Sequence, residues 1–163
     1  MKRILVANRG EIARRIIATA RRMGIETVAV YSEPDADALH VREATVAFAL
    51  GGRTSAESYL RVDRLLEAAR ATGADAVHPG YGFLSEAARL AQAVQDAGLT
   101  FIGPPPAAIR ALGSKSAAKA LAAQHDVPCL PGYAGDDQSE ARFATEAARI
   151  GCPLMVKAVA GGG

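Results

Sequence analysis

Short, unbroken apolar runs recur along the first hundred residues of the chain and alternate with segments of helical period. The runs cover residues 4–7, 27–30, 46–50, 76–77 and 100–102. An apolar run without polar alternation is typical of a strand buried on both faces, as in a parallel sheet. The pattern therefore predicts five parallel strands.

Three amphipathic segments lie between these runs. Their apolar stripes are Ile12, Ile16, Ala20 and Met23; Val62, Leu65, Leu66 and Ala69; and Leu90, Ala91 and Val94. Glu11 falls in the first turn of the first segment, and Arg21 and Arg22 in its last turn, where the helix dipole favours these charges. The segments are followed by Gly24, Gly73 and Gly98, the residue type expected after a helix end. This alternation predicts an α/β fold, a doubly wound, Rossmann-like parallel sheet.

In doubly wound sheets, ligands bind at the carboxyl ends of the strands. The loops expected there are residues 8–10, 78–83 and 103–106, which should share one edge of the sheet. The first loop continues as N-R-G-E-I-A, with one glycine where a dinucleotide-binding turn needs G-x-G-x-x-G. Glu11 also places a carboxylate where a phosphate would bind, so an NAD site is not expected.

Residues 78–86 have the sequence HPGYGFLSE, which brings glycines, an aromatic ring and a titratable ring into one loop. Such a loop holds its backbone close to another group. No partner carboxylate can be assigned to His78 from the sequence. A hydrogen bond between its ring and the backbone is therefore favoured over a role as general base.

Prolines 104–106 cannot continue a strand, and they predict that a first domain covers residues 1–112. In the second unit, residues 113–163, Ser114 and Ser139 are candidate caps of helices over 115–124 and 140–150. A strand is expected over 154–158. A lone edge strand followed by three glycines is not a typical domain end, so we expect the chain to be a fragment cut inside a second domain.

Two lysines of the second unit are candidate phosphate ligands. Lys115 at a helix start opposes the helix dipole and fits best beside an anion, with a solvated surface lysine as the alternative. The glycine spacing around it does not fit a P-loop. Lys157 interrupts an apolar run and precedes Gly161, Gly162 and Gly163, whose bare backbone can approach phosphates. For Lys157 the alternatives are an edge-strand lysine that prevents aggregation, or a simple glycine linker.

The amino-acid composition of the chain argues against several classes of function. The 19 basic and 17 acidic residues give a net charge of +2 and are interspersed, which gives no support for nucleic acid binding. No apolar run approaches a membrane span and no signal peptide is evident, so a cytoplasmic location is expected. Cys129 and Cys152 are too far apart for a CxxC pair and are expected to be reduced, buried thiols.

Several motifs together resemble the biotin carboxylase component of the acetyl-, propionyl- and methylcrotonyl-CoA carboxylases. They are ILVANRGEIARRI, ETVAVYSEPDADALHVREA, SAESYL, TGADAVHPGYGFLSE, FIGPPPAAIRALGSKSAAK and PLMVKAVAGGG, and the resemblance runs from Ile4 to Gly163. HPGYGFLSE together with NRGEIA is highly specific. The resemblance implies a pre-ATP-grasp domain over residues 1–112, followed over 113–163 by the incomplete beginning of an ATP-grasp domain.

Members of this family use ATP and Mg²⁺ or Mn²⁺ to activate bicarbonate as carboxyphosphate. They then carboxylate the ureido N1 of biotin on a carrier protein or domain, which also serves a carboxyltransferase component. By position, Lys115 and Lys157 are similar to the lysines that contact ATP phosphates, and Gly161, Gly162 and Gly163 to the loop over them. Tyr81 and Gly82 are similar to part of the biotin-side wall.

In the family, the metal ligands and the catalytic base lie beyond the position of Gly163. The resemblance therefore implies neither catalytic nor metal-binding residues in this fragment, which is expected to be inactive alone. It also implies a homodimer, but Arg22 stands where many members have an acid in the region of dimer contacts, and Thr45-Val46 replaces a common Asp-Glu. The alternatives are a ligase of the carbamoyl phosphate synthetase kind and a non-catalytic homologue that acts in oligomerisation or regulation.

Overall fold

A computed structural model describes residues 1–113 and 115–156 of the chain, with Lys115 and Ser116 described by their backbone alone. The chain divides into two compact units, Met1–Arg110 and a second unit that begins at Ala111. Within the described ranges no helix is both long and apolar enough to cross a membrane.

The first unit is built on a five-stranded parallel sheet. Its strands are β1 (Arg3–Val6), β2 (Glu26–Tyr31), β3 (Val46–Ala49), β4 (Ala76–His78) and β5 (Thr100–Phe101). Their order in the sheet is β3-β2-β1-β4-β5, so the first strand is central and the chain winds outward on both sides of it. All five strands predicted from the apolar runs are confirmed, as is the doubly wound α/β fold class.

Helices connect successive strands. They are α1 (Gly10–Arg22), α2 (Leu39–Glu43), α3 (Val62–Thr72) and α4 (Ala88–Asp96), and α5 (Pro106–Leu112) follows the last strand. The helices α1, α3 and α4 confirm the three predicted amphipathic segments. As expected, the glycines after them, Gly24, Gly73 and Gly98, all have positive φ.

The side chains of β1 show why the strand sequences are continuously apolar. Leu5 belongs to a buried cluster with residues of α3 and α4, whereas Ile4 and Val6 belong to a second cluster with residues of α1. Successive strand residues point to opposite faces, and helices cover both faces of this sheet. Positions 4–6 of the strand are therefore buried on whichever face they point to, so polar residues cannot alternate with apolar ones there.

The second unit contains α6 (Lys115–Gln124) and α7 (Glu140–Ile150) among its described residues. The predicted cap of α7 is confirmed, since Ser139 Oγ accepts a hydrogen bond from the Arg142 N–H at 3.2 Å. Ser114, the predicted cap of α6, lies outside the described residues. Residues Ala111 and Leu112 complete α5, so the predicted domain boundary after residue 112 falls at a helix end.

Two predictions for the second unit are wrong. In the strand expected over 154–158, Leu154, Met155 and Val156 form no strand, and residues 157–158 lie outside the described residues. A strand must satisfy its backbone N–H and C=O groups on a neighbour, and the described part of this unit supplies no strand to pair with. Cys129 and Cys152 are free thiols, as expected, but both are exposed because they lie in segments without regular structure that no described core covers.

Candidate functional site

Two strand-end loops meet at the carboxyl edge of the sheet. The strands β1 and β4 are paired with Val6 opposite His78, and the Ala7 N–H donates to the His78 carbonyl at 2.9 Å. The loops that follow these strands, residues 8–10 and 79–83, therefore lie side by side. Residues 8–12 and 81–83 line a cavity of about 300 Å³ between them.

Asn8 ties the two loops together. Its side chain is fully buried, and Nδ2 donates to the carbonyl oxygens of Pro79 at 2.9 Å and Tyr81 at 2.8 Å. Its Oδ1 accepts the Arg9 N–H at 2.9 Å. All its hydrogen-bonding atoms thus fix backbone groups, so Asn8 acts as a structural brace. From the sequence, Asn8 could be interpreted only as a polar turn residue.

Gly80 and His78 complete the loop after β4. Gly80 has φ +67°, and a Cβ atom there would lie 2.6 Å from Asn8 Nδ2, so the close contact requires glycine. The Gly80 N–H donates to His78 Nδ1 at 3.0 Å, which confirms the backbone hydrogen bond predicted for this ring. Burial lowers the pKa of His78, which favours the neutral imidazole that can accept this bond.

Tyr81 stands at the mouth of the cavity. Its side chain is 63 % exposed, and its hydroxyl donates to Glu11 Oε1 at 2.5 Å. This hydrogen bond to the carboxylate raises the pKa of Tyr81. Glu11 lies in the first turn of α1, where the helix dipole stabilises its negative charge. The cavity therefore presents an aromatic ring and glycine backbone beside a fixed carboxylate.

A second cavity of about 380 Å³ adjoins the first and shares Arg9 and Phe83 with it. In its wall, Arg9 Nε donates to Asp35 Oδ2 at 2.6 Å and Arg9 Nη2 donates to Oδ1. The Tyr59 hydroxyl donates to the same Oδ2 at 2.5 Å. The hydrogen bonds from Arg9, followed by that from Tyr59, lower the pKa of Asp35 to about 2, although burial opposes the shift.

Sequence reasoning did not identify this Arg9–Asp35–Tyr59 network. Asp35 lies 26 positions from Arg9 and 24 from Tyr59, and no local spacing connects them. The one available signal was that all three fall within or beside motifs of the resemblance. Asp35 lies in the connection after β2, and this position in the sequence does not indicate which residues bind its carboxylate.

Of the predicted site residues, Tyr81 and Gly82 lie together on the first cavity. Lys115 begins α6, and its side chain is not among those described. Lys157, Gly161, Gly162 and Gly163 lie outside the described residues. The convergence of the two lysines on one phosphate group stays a prediction, as does the biotin-side role of Tyr81 and Gly82.

The described residues contain no cluster of three or more His, Cys, Asp or Glu side chains able to hold a metal ion. This part of the chain therefore does not fit a divalent metal site. A parallel α/β sheet with an open cavity at its carboxyl edge is the arrangement of a ligand-binding domain of the Rossmann-like class.

Comparison with known proteins gives the family. Residues 1–109 match the family described as "Biotin carboxylase, N-terminal domain". The whole chain is 52% identical over 163 residues to the mitochondrial methylcrotonoyl-CoA carboxylase subunit alpha of Arabidopsis thaliana, covering 22% of that protein. It is 53% identical over 161 residues to the biotin-dependent acyl-coenzyme A carboxylase alpha3 subunit of Mycobacterium leprae, covering 99% of this chain and 27% of that protein.

Solved structures agree with this assignment. One is the biotin carboxylase domain dimer of Hydrogenobacter thermophilus 2-oxoglutarate carboxylase in complex with MgADP, ADP and bicarbonate. It matches with a TM-score of 0.91 and 41% identity over 99% of this chain and 36% of that chain. The biotin carboxylase domain of a single-chain bacterial carboxylase matches with a TM-score of 0.88 and 45% identity, over 98% and 37%.

The chain belongs to the biotin carboxylase N-terminal domain family. It spans about a quarter of the length of the curated relatives that it matches, from 22% to 27% in the two named above. The matches do not favour a ligase of the carbamoyl phosphate synthetase kind.

Proposed function

We propose that the chain is the N-terminal part of a biotin carboxylase and contributes one wall of its biotin site. The complete enzyme would use ATP to activate bicarbonate as carboxyphosphate, with release of ADP. The carboxyl group would then pass to N1 of biotin on a carrier protein or domain, with release of phosphate. A divalent cation, Mg²⁺ or Mn²⁺, would neutralise phosphate charge when bound.

The observation that carries this proposal is the placement of Tyr81 and Gly82 on a cavity at the carboxyl edge of the sheet. The fused rings of biotin are compact and largely apolar, and an aromatic ring beside bare glycine backbone offers a matching surface. The neighbouring structure that contains MgADP and bicarbonate matches 99% of this chain, which supports the same reaction.

The remaining roles are proposals of the same kind. Lys115 and Lys157 would hold the ATP phosphates, and Gly161, Gly162 and Gly163 would begin the loop that covers them, because phosphoryl transfer depends mainly on positioning and charge neutralisation. The carrier and the carboxyltransferase component would be the partners. A homodimer is a further proposal, supported by the dimer of the Hydrogenobacter domain. A cytoplasmic location stays a prediction.

Bicarbonate-dependent release of ADP by the full-length protein tests the proposal. We expect ADP release to require bicarbonate and to rise when free biotin is added. A carbamoyl phosphate synthetase-like enzyme would instead respond to ammonia and ignore biotin. A non-catalytic homologue would release no ADP under either condition, and this result would also contradict the proposal.

A further inference from the structure

Phe83 follows the wall residues Tyr81 and Gly82 directly and has an unusual backbone conformation. Its φ is +45°, and among the described non-glycine residues it shares a positive φ only with Asp126. A bulky side chain disfavours this region, so the conformation persists only where the surroundings hold it. Some contact of Phe83 must therefore fix the end of the loop.

That contact is a stack between two aromatic rings. The rings of Phe83 and Tyr59 are nearly parallel, with 9° between their planes and 5.2 Å between their centroids. Tyr59 is only 2 % exposed and belongs to the main core cluster. Its hydroxyl oxygen also accepts the Ser32 N–H at 3.1 Å and donates to Asp35. Tyr59 is thus a rigid platform, whereas Phe83 is 37 % exposed.

The loop of residues 79–83, which carries the proposed biotin-side wall, is consequently held at both ends. Asn8 holds the carbonyls of Pro79 and Tyr81, and the stack on Tyr59 holds Phe83. Phe83 lines the first cavity together with Tyr81 and Gly82, while Tyr59 lines only the second. A shift of the Phe83 ring would therefore reshape the first cavity, although Tyr59 itself does not reach it.

We propose that Tyr59 is a positioning residue for the biotin-side wall and acts through the stacked ring of Phe83. This inference rests on the proposed function, in which Tyr81 and Gly82 contact biotin. Loss of the stack frees the loop to leave its strained conformation, and part of the binding free energy of biotin must then be used to restore it. The proposed ATP ligands, Lys115 and Lys157, are not part of this loop, so the affinity for ATP should change little.

The test compares biotin and ATP kinetics of variants in the full-length protein. We expect Tyr59→Leu and Phe83→Leu each to raise the KM for free biotin by about two- to tenfold, the range of an aromatic pair. The KM for ATP stays within about twofold of the parent. Phe48→Leu is the matched control, because Phe48 packs against the same core cluster but lines neither cavity.

Tyr59→Phe separates positioning from stability. This variant loses the hydrogen bonds of the hydroxyl and leaves the Ser32 N–H without its acceptor, so its Tm falls. Packing in the core keeps the ring beneath Phe83, so the KM for biotin stays within about twofold of the parent. A purely structural role would instead make the KM follow the Tm.

An unchanged KM for biotin in folded Tyr59→Leu and Phe83→Leu overturns the inference. If Tyr59→Leu does not fold, Phe83→Leu decides alone, since its ring is partly exposed. If the parent shows no biotin-stimulated ADP release, the proposed function fails. A second measurement then decides whether the stack positions the loop. It is the hydrogen exchange of the Ser85 amide, which donates to the Gly82 carbonyl. Faster exchange in Phe83→Leu than in Phe48→Leu supports this positioning, and equal exchange refutes it.

Discussion

Asn8 and Gly80 are packed so closely that a Cβ atom on Gly80 would lie 2.6 Å from Asn8 Nδ2. The amide cannot move aside, because Nδ2 also donates to the carbonyls of Pro79 and Tyr81. The contact joins the loop after β1 to the loop after β4, and residues of both loops line the cavity. Its integrity depends on the absence of a side chain at position 80.

Gly80→Ala should therefore destabilise the chain strongly. We expect a loss of about 3 kcal/mol in the free energy of unfolding, from the positive φ and from the clash together. Gly82→Ala is the matched control, because Gly82 has φ +66° but a Cβ atom there would have no neighbour within 4 Å. It should lose only about 1 kcal/mol. Urea unfolding measures both, and equal losses would contradict the packing argument.

Asp35→Asn should weaken the Arg9–Asp35–Tyr59 network. A neutral amide cannot accept both donors of the Arg9 guanidinium together with the Tyr59 hydroxyl, so we expect a loss of about 2 kcal/mol in the free energy of unfolding at pH 7. Glu43→Gln, which breaks the exposed pair with Arg14, should cost clearly less. A loss in Asp35→Asn no larger than in Glu43→Gln would contradict this account.

The lowered pKa of Asp35 also predicts that the stability of the fold depends on pH in the acid range. The pKa of Asp35 is lowered from 3.8 to about 2, so the unfolded chain binds this proton first. The contribution of Asp35 to stability is present above pH 3.8 and is lost as pH falls towards 2. Urea midpoints measured from about pH 5 down to about pH 2 should fall less steeply in Asp35→Asn than in the parent. Identical slopes would show that Asp35 does not titrate as described.

The burial of His40 predicts a second pH dependence of stability, at higher pH. The ring is fully buried, its Nε2 lies 3.3 Å from the Val30 carbonyl, and its Nδ1 has no hydrogen-bond partner among the described residues. Burial lowers the pKa of His40 below 6.5, so its contribution to stability is present above pH 6.5 and is lost as pH falls below that value. His40→Met should reduce this slope in urea midpoints between about pH 7 and pH 5.

The slope should be reduced rather than abolished, because burial lowers the pKa of His78 in the same direction. An unchanged slope in a folded His40→Met variant would contradict the burial of a neutral His40.

The strands and the long helices could be predicted because burial against the sheet imposes a regular apolar pattern on their sequences. Leu5 and Val6 face opposite clusters, and this two-sided burial requires the continuous apolar run. The five-residue helix α2 is too short to show a period, so its buried His40 could not be predicted. The reciprocal hydrogen bonds between Thr27 and Thr45, each N–H to the other's Oγ1, likewise join residues that sequence spacing does not connect.

The candidate site was predicted only in part for a similar reason. Tyr81 and Gly82 were found through the strand-end loop and the family resemblance. The residues that hold this loop, Asn8 and Tyr59, act through contacts with Tyr81 and Phe83, which are distant in the chain, so only tertiary structure reveals them. The strand expected over 154–158 is not formed at its described residues, 154–156, because an apolar run does not specify whether a neighbouring strand exists to pair with it.

The lysines of the proposed nucleotide site give a further prediction. In the full-length protein, Lys157→Ala should raise the KM for ATP and lower kcat, because an ammonium group that neutralises phosphate charge is lost. Lys2→Ala, which removes an exposed lysine of the first unit, is the control. Bicarbonate-dependent ADP release by Lys157→Ala that equals the parent's would remove Lys157 from the site.

The most direct test of the central claim is the transfer of labelled carbon from bicarbonate to biotin by the full-length protein. We expect label in carboxybiotin when ATP and Mg²⁺ are present, and none when ATP is omitted. The absence of labelled carboxybiotin under saturating ATP, bicarbonate and biotin, in a protein that is folded, would contradict the account.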